Sequence, residues 1–270
     1  MEIREKICTG LKLIKEKSPL IHHITNYVTV NDCANIVLAI GGSPVMADDS
    51  AEAAEMVGFA SALVLNIGTL NTRTIESMLI AGLKAKELGV PVILDPVGVG
   101  ATKLRTDTAD KLIRELKPEV IRGNMSEIKV LAGLEAAIKG VDSLADEHGS
   151  SVVAKKLAKE LGSIIAITGK TDVVSDGSQV CLIDNGHRIL GDVTGTGCMT
   201  TSLVGTFCGA TKDYYTAAVA GIISMGLAGE IAHASLRHGE GIGTFRARLF
   251  DSIYNLIPEI LAIEGKINYE

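Results

Sequence analysis

The chain repeats one arrangement three times: a short apolar run beside a turn of glycine or polar residues and a helical pattern. The runs at residues 63–67, 90–94 and 164–167 are each long enough for a buried strand. Continuous apolar strands that alternate with helices indicate a mostly parallel central sheet with helices on both faces. Right-handed crossovers bring the turns after such strands to one edge, where these sheets bind ligands. The sequence therefore predicts an α/β fold with its site at that edge.

Glycine or polar residues stand at the ends of the predicted strands. They are Asn26, Gly68, Asp95, Asn124 and Thr168. Because the carboxyl ends of parallel strands share one edge of the sheet, we expect these positions to converge.

The remaining pattern predicts helices and one hairpin. Helices are expected over residues 1–17, 72–88, 108–116 and 151–161, and Ser126 is a candidate cap for a helix after residue 124. Residues 173–183 read as two strands joined at Asp176-Gly177. Two helices rich in small residues, 196–208 and 214–236, are expected to be buried. No linker divides the chain, so residues 1–270 are predicted to form a single domain.

Composition argues against several classes of protein. The net charge is −6 and aromatic residues make up 3% with no Trp, so neither nucleic acid nor a stacking platform is indicated. The five cysteines are odd in number and lack CxxC spacing, which favours neither disulfides nor zinc. Residues 1–17 do not resemble a signal peptide, and the uncharged stretch 193–211 is too polar for a membrane span. We expect a cytoplasmic protein without a membrane partner.

The strongest local signal is the turn Gly195-Thr196-Gly197-Cys198, which begins a helix. Glycines let the backbone approach a ligand, and the free N–H groups at a helix start favour an anion such as a phosphoryl group. The alternative is a glycine turn that only starts a buried helix. The turn is not a Walker A loop, since it lacks the Gly-Lys-Ser/Thr ending.

Nearby residues suggest a metal–phosphate site and a reactive thiol. Asp95 at a strand end could hold Mg²⁺, and Asn124 and Glu127 lie one helical turn apart and could face the same unit. All three are equally interpretable as turn or cap residues. The dipole at the helix start is expected to lower the pKa of Cys198 and to expose its sulfur, whereas the alternative is a small buried hydrophobe. The adjacent His22 and His23 cannot readily share a metal, because their rings point to opposite faces of a strand.

Five ordered stretches together resemble one known family. They are residues 23–29, 41–46, 94–102, 121–127 and 191–198. In these stretches, and nearly from end to end, the chain resembles the hydroxyethylthiazole kinases of the ribokinase-like superfamily. Five motifs in the same order are far more specific than any one of them.

The resemblance implies a reaction and an assembly. ATP would phosphorylate the hydroxyl of 4-methyl-5-(2-hydroxyethyl)thiazole with Mg²⁺, a step of thiamine salvage, in a homotrimer whose active sites lie between subunits. The positions that match the family imply these roles: the thiazole at Met46, Gly195, Asn26 and Gly68; ATP at Arg122, Thr168, Asn124 and Gly197; the Mg²⁺–phosphate unit at Asp95 and Glu127.

Cys198 stands where most ribokinase-like enzymes carry an Asp that acts as a general base. Because phosphoryl transfer depends mainly on positioning and charge stabilisation, we hypothesise that Cys198 orients the hydroxyl and assists weakly. The backbone N–H groups of residues 195–198 would then stabilise the phosphoryl charge.

Four other functions stay open at the level of sequence. The protein could be a kinase for another heterocyclic alcohol such as hydroxymethylpyrimidine, or a nucleotide-dependent hydrate dehydratase. It could use Cys198 as a covalent nucleophile with His233 or His238 as the base. Finally, it could be a nucleotide sensor that binds ATP without catalysis.

Overall fold

The computed structural model describes residues 2–133 and 147–270 and centres on one sheet of nine strands. In chain order the strands are β1 (Leu20–Ile24), β2 (Ser43–Val45), β3 (Ala62–Asn66), β4 (Val92–Asp95), β5 (Val120–Asn124), β6 (Ile164–Thr168), β7 (Asp172–Ser175), β8 (Val180–Ile183) and β9 (Ile267–Tyr269). Their order in the sheet is β2-β1-β3-β4-β5-β6-β7-β8-β9. The strands from β2 to β6 pair in parallel, and the remaining pairs are antiparallel. The predicted mostly parallel sheet is confirmed.

Helices cover both faces of the sheet, as predicted. One face carries α1 (Ile3–Lys17), α2 (Val30–Ile40), α8 (Thr196–Thr211), α9 (Tyr214–Ala234), α10 (Ile242–Tyr254) and α11 (Pro258–Glu264). The other carries α3 (Ala53–Val57), α4 (Thr72–Leu88), α5 (Lys103–Leu116), α6 (Met125–Leu131) and α7 (Glu147–Leu161). Alternate side chains of β3 enter the two cores, with Val64 on the first face and Leu63 and Leu65 on the second.

Local capping explains where the predicted helix bounds were right or wrong. α4 matches the prediction, because Asn71 and Thr74 form a capping box at its start. α5 begins five residues earlier than predicted, since the Thr102 side chain accepts a hydrogen bond from the Arg105 N–H. α6 is capped by Asn124, so the expectation for Ser126 was wrong.

The two helices rich in small residues are buried, as predicted. In α8, a Cβ at Gly205 would lie 2.6 Å from Val64 Cγ2, and in α9 a Cβ at Gly221 would lie 2.7 Å from the Val204 N atom. Glycine therefore permits both helices to pack tightly. Within the described ranges, α9 is the one helix long and apolar enough to cross a membrane, but 78% of its apolar window is buried in the protein. That burial is typical of a core helix.

The sheet topology determines where a ligand can enter. The predicted hairpin is formed by β7 and β8, and the described chain adds β9 beside it. At the other end of the sheet, β1 lies between β2 and β3, so the connections leaving β1 and β2 run in opposite directions along the sheet. Such a switch point opens a crevice at the carboxyl ends of the strands. β1 leads directly to Asn26 and β3 ends at Asn66.

Candidate active site

Asn66 connects the residues at the strand ends into one hydrogen-bond network. Its Oδ1 accepts from Asn26 Nδ2 (2.9 Å) and from the Gly68 N–H (2.9 Å). Its Nδ2 lies 3.0 Å from Asp95 Oδ2 and 3.2 Å from Cys198 Sγ. Four residues predicted from the sequence, Asn26, Gly68, Asp95 and Cys198, therefore converge here. Sequence reasoning missed Asn66 itself, although an Asn within an apolar strand is an unfavourable residue that signals a special role.

Asp95 is a fully buried carboxylate with one oxygen hydrogen bonded and one oxygen left over. Oδ2 accepts from Thr201 Oγ1 at 2.7 Å and from Asn66, and it lies 3.8 Å from Arg122 Nη1. Oδ1 has no hydrogen-bond partner in the part of the chain that the structure describes. Burial raises the pKa of Asp95 to about 6, and the positive charge of Arg122 opposes that rise without cancelling it.

Arg122 links Asp95 to the first turn of α8. Its Nη2 donates to Thr168 Oγ1, and a Cβ at Gly197 would lie only 2.8 Å from its Nη1. The guanidinium therefore packs against the helix start, where the N–H groups also attract an anion. Its Nε is buried without a partner among the described residues. The guanidinium of Arg122 and the positive end of the α8 dipole therefore lie side by side.

A cavity of about 490 Å³ opens next to Arg122. Three predicted nucleotide-binding residues line it together: Arg122, Thr168 and Gly197. Asp172, which the sequence analysis did not identify, also lines it; its carboxylate accepts from the Gly169 N–H at 2.8 Å. Burial raises the pKa of Asp172 to about 7. Asn124 is not part of this lining.

Asn124 and Glu127 are occupied as helix caps. Asn124 Oδ1 accepts from the Glu127 N–H at 3.0 Å, and Glu127 Oε2 accepts from the Asn124 N–H at 2.8 Å. Glu127 Oε1 accepts from the Gly98 N–H at 2.8 Å. The cap interpretation of this pair is therefore confirmed. Glu127 still acts on the centre through its charge, since it contributes to the raised pKa of Asp95.

Cys198 lies in the first turn of α8, half-buried in the network. Its sulfur accepts hydrogen bonds from Asn66 Nδ2 at 3.2 Å and from Asn26 Nδ2 at 3.4 Å. Burial and the neighbouring Asp95 charge raise the pKa of the thiol above its usual value. The expectation that this pKa is lowered was wrong, because burial of the thiol and the nearby Asp95 carboxylate both raise it.

The turn before α8 needs glycine at its first position. Gly195 has φ +88°, which side chains rarely adopt, and a Cβ there would lie 2.7 Å from Thr29 Cγ2. Asp32, whose carboxylate pairs with Arg246, lies just behind the same turn. The side chains of Thr29, at the N-cap of α2, and Asp32 thus leave no space for a side chain at the first position of the turn.

Met46 lines a cavity whose lining does not include the other predicted thiazole residues. This second cavity, of about 290 Å³, is also lined by His23, Thr25, Tyr27 and Thr69. Asn26, Gly68 and Gly195 are not part of that lining, although the chain neighbours of the first two are. His22 and His23 have separate contacts, His22 Nε2 with the Ala47 carbonyl at 2.7 Å and His23 Nε2 with Ser202 Oγ at 3.1 Å.

The fold and the site combine a sheet with helices on both faces, a buried carboxylate at a strand end, and a glycine turn that starts a helix. The model of the hydroxyethylthiazole kinase family matches residues 11–259. The chain is 53% identical over 269 residues to a hydroxyethylthiazole kinase from Alkaliphilus oremlandii, covering 99% of each protein. It is 52% identical to one from Ruminiclostridium cellulolyticum, covering 99% of this chain and 98% of that protein.

A solved structure agrees with these sequence relatives. The hydroxyethylthiazole kinase from Pyrococcus horikoshii OT3 superposes with a TM-score of 0.88 at 36% identity, covering 98% of this chain and 99% of the other. The chain belongs to the hydroxyethylthiazole kinase family. The resemblance found in the five sequence motifs is confirmed, and membership of a kinase family implies ATP as the co-substrate.

Proposed function

We propose that the protein transfers the γ-phosphoryl group of ATP to the hydroxyl of 4-methyl-5-(2-hydroxyethyl)thiazole, as thiamine salvage requires. One observation carries the proposal beyond family membership: the Asn66 network and the cavity lined by Arg122 meet at the same helix start. A nucleotide phosphate and an alcohol could therefore both reach the first turn of α8. This arrangement favours a kinase over a nucleotide sensor, which needs no acceptor site. A hydrate dehydratase also phosphorylates a hydroxyl, so the thiazole kinase is favoured over it by the family match and not by the pockets.

The cavity beside Arg122 is the proposed nucleotide site. Arg122 and Thr168 line it together with Gly197, and the N–H groups of residues 195–198 point out of the helix start. Backbone donors and a guanidinium stabilise charge on a phosphoryl group without reorganising during transfer. Asn124 stays a proposed nucleotide contact, although its side chain and its backbone N–H are both engaged in the cap of α6.

Asp95 and Glu127 are the proposed residues for Mg²⁺. Asp95 Oδ1 is a buried carboxylate oxygen with no hydrogen-bond partner in the described ranges, so the residues present fit a cation held directly or through water. Glu127 adds negative charge from the neighbouring cap. A bound Mg²⁺ would neutralise phosphate charge and orient the phosphates.

The Asn66 network is the proposed acceptor site. Cys198 keeps its proton because its pKa is raised, so the thiol can orient a hydroxyl but is a poor thiolate nucleophile. Neither His233 nor His238 hydrogen bonds the Cys198 sulfur, and His233 instead stacks on His187 with ring centroids 3.6 Å apart. Gly195, Gly68 and Asn26 would border the alcohol, and Met46 the thiazole ring.

The proposed assembly is a homotrimer with sites between subunits. Two large apolar side chains, Tyr27 and Val28, are 78% and 58% exposed directly after Asn26, and Tyr27 borders the cavity that holds Met46. A neighbouring subunit over this surface would bury them and close the cavity. We further propose that residues 1–270 form one domain and that the enzyme is cytoplasmic.

ADP release measured with a panel of small alcohols tests the proposed function. The purified protein with Mg²⁺ and ATP should release ADP with hydroxyethylthiazole, and mass spectrometry should detect the phosphate ester. Hydroxymethylpyrimidine and pyridoxal serve as competing acceptors. Release with one of these but not with the thiazole would overturn the substrate, and release from NAD(P)H hydrate with formation of NAD(P)H would indicate the dehydratase.

Omitting the acceptor gives the matched control. A nucleotide sensor would bind ATP in a titration yet release no ADP with any alcohol. Sedimentation of the same preparation tests the trimer, since a monomer at assay concentration that retained full activity would exclude shared sites.

A further inference from the structure

Arg105 holds the main chain of two loops that lead into the site. It lies in the first turn of α5, and its side chain is half-buried. Nη1 donates to the Ile67 carbonyl at 2.7 Å and to the Val97 carbonyl at 2.6 Å, and Nη2 donates to the Gly68 carbonyl at 2.7 Å. Only a planar guanidinium presents several donors in a fixed fork that can reach three carbonyls at once.

The first loop connects Arg105 to the acceptor network. Gly68 accepts from Arg105 through its carbonyl and donates through its N–H to Asn66 Oδ1 at 2.9 Å. A Cβ at Gly68 would lie 2.9 Å from the Asn26 Cβ, so the loop has no free space on that side. A shift of Gly68 would therefore move Asn66, and with it the hydrogen bond to Cys198.

The second loop connects Arg105 to the carboxylates. Val97 lies two residues after Asp95, and the next residue, Gly98, donates its N–H to Glu127 Oε1 at 2.8 Å. Gly98 has φ +71°, and a Cβ there would lie 3.3 Å from Arg105 Nη1. The loop is thus held between Arg105 on one side and Glu127 on the other.

We propose that Arg105 is a positioning residue that fixes the acceptor network relative to Asp95 and Glu127 by holding both loops. The inference rests on the proposed function, because it concerns how that site keeps its geometry. Arg105 lines neither cavity. Its hydrogen-bond partners are neutral carbonyls, so holding the two loops depends on the planar arrangement of its donors. A side chain with the same charge but without that arrangement, such as lysine, would not replace it.

The position of Arg105 predicts which step suffers when it is replaced. A displacement of about 1 Å at reacting groups can cost about 100-fold in rate. Arg105→Gln should therefore lower kcat for hydroxyethylthiazole by about 100-fold. Affinity for a non-hydrolysable ATP analogue, titrated without Mg²⁺, should stay as in the unchanged protein, because Arg122, Thr168 and Gly197 line the nucleotide cavity and Arg105 does not.

Steady-state kinetics and calorimetric titration of the analogue should be measured on Arg105→Gln and on Arg114→Gln. Arg114 is the matched control, since it is an exposed arginine on the same helix α5. The control should keep kcat and analogue affinity. A kcat for Arg105→Gln equal to that of the control would overturn the proposal.

Two more variants separate positioning from charge and from general loss of structure. Arg105→Lys keeps the charge but not the fork, so its kcat should stay well below that of the unchanged protein; full recovery would show a charge effect and overturn the proposal. Arg105→Ala should regain activity when millimolar guanidinium is added, compared with sodium at equal ionic strength. Guanidinium that restored no activity to soluble, folded Arg105→Ala would overturn it too. If the unchanged protein itself released no ADP with the thiazole, the proposed function would fail first.

Discussion

The two halves of the site differ in how completely their polar atoms are hydrogen bonded. In the acceptor half, formed by Asn26, Asn66, Gly68 and Cys198, both atoms of the Asn66 amide are engaged, and the cysteine sulfur has two donors. In the charged half, formed by Asp95 and Arg122 with the adjoining cavity, a carboxylate oxygen and a guanidinium nitrogen are buried without partners in the described part of the chain.

The difference indicates two ways of preparing a site. Buried polar groups that are fully hydrogen bonded rigidify their surroundings, so the acceptor half holds its geometry without a ligand. Buried groups left unpaired cost free energy that a ligand of suitable charge can recover. The charged half is therefore suited to a phosphate and a cation, and the acceptor half to a neutral alcohol. Substitutions in the charged half should mainly lower activity, whereas substitutions in the acceptor half should mainly lower the free energy of unfolding.

Replacing Asp95 by Asn should give the largest loss of activity. We expect kcat/KM to fall by about 1000-fold, because the amide cannot supply negative charge to the proposed cation site. Folding stability at pH 7 should rise, since burial outweighs the pairing of Asp95 with Arg122 and the amide removes that cost. Urea unfolding and ADP release measure the two effects. Asp110→Asn, on the exposed side of α5, is the control, and a lower stability for Asp95→Asn would contradict the comparison.

Replacing Asn66 by Ala should produce the reverse balance. The change leaves the partners of four hydrogen bonds without Asn66, so we expect a loss of about 2–4 kcal/mol in the free energy of unfolding. The kcat should fall by about 10–100-fold as the hydroxyl loses its fixed surroundings. Asn35→Ala on the exposed face of α2 is the control for removing an amide. If Asn66→Ala unfolded at the urea concentration of the unchanged protein, the acceptor half would not be a rigid network.

Below the pKa of Asp95, affinity for the Mg²⁺–ATP analogue should fall by about tenfold for each unit of pH. Asp95 has its pKa raised to about 6, so affinity for the Mg²⁺–ATP analogue should weaken as the pH falls below that value. Stability should change in the opposite direction. As the pH rises above 3.8, the Asp95 carboxyl ionises in the unfolded chain but stays protonated in the folded protein until about pH 6. The free energy of unfolding should therefore fall between about pH 4 and 6. Titrations of Asp95→Asn should lack both trends. Asp172→Asn tests whether Asp172, with a pKa of about 7, adds a second step.

Replacing Cys198 by Ala should have the smallest effect, about tenfold or less in kcat, because a protonated thiol contributes less than a general base. Affinity for the ATP analogue should not change. Kinetics of Cys198→Ala beside Cys8→Ala, a half-exposed cysteine on α1, provide the measurement. A loss as large as that of Asp95→Asn would show that the sulfur, and not its surroundings, carries the proton transfer.

Most of the fold was predictable because it depends on local patterns. Apolar strands, the hairpin at Asp176 and the small residues of α8 all left periodic signals in the sequence. The start of α5 was missed because the Thr102 cap comes before any apolar period. Strand-end residues such as Asn26 and Asp95 could be expected to converge, because the topology places them together.

The remaining site features depend on contacts that spacing does not reveal. Arg105 binds carbonyls 38, 37 and 8 residues away, and no side-chain pattern marks a backbone carbonyl as a partner. The pKa of Cys198 was mispredicted for a related reason: the helix start is local, but the burial and the Asp95 charge that dominate come from other elements.

The first turn of α8 serves both halves with successive residues. Gly197 packs against Arg122, whereas Cys198 accepts hydrogen bonds from Asn66 and Asn26. Neighbouring residues on a helix are about 1.5 Å apart along the axis and point about 100° apart. The first turn of α8 therefore sets the distance between the two proposed substrates. Because that distance belongs to one rigid helical segment, the substrates can be aligned for transfer without a rearrangement of two separate loops in each catalytic cycle.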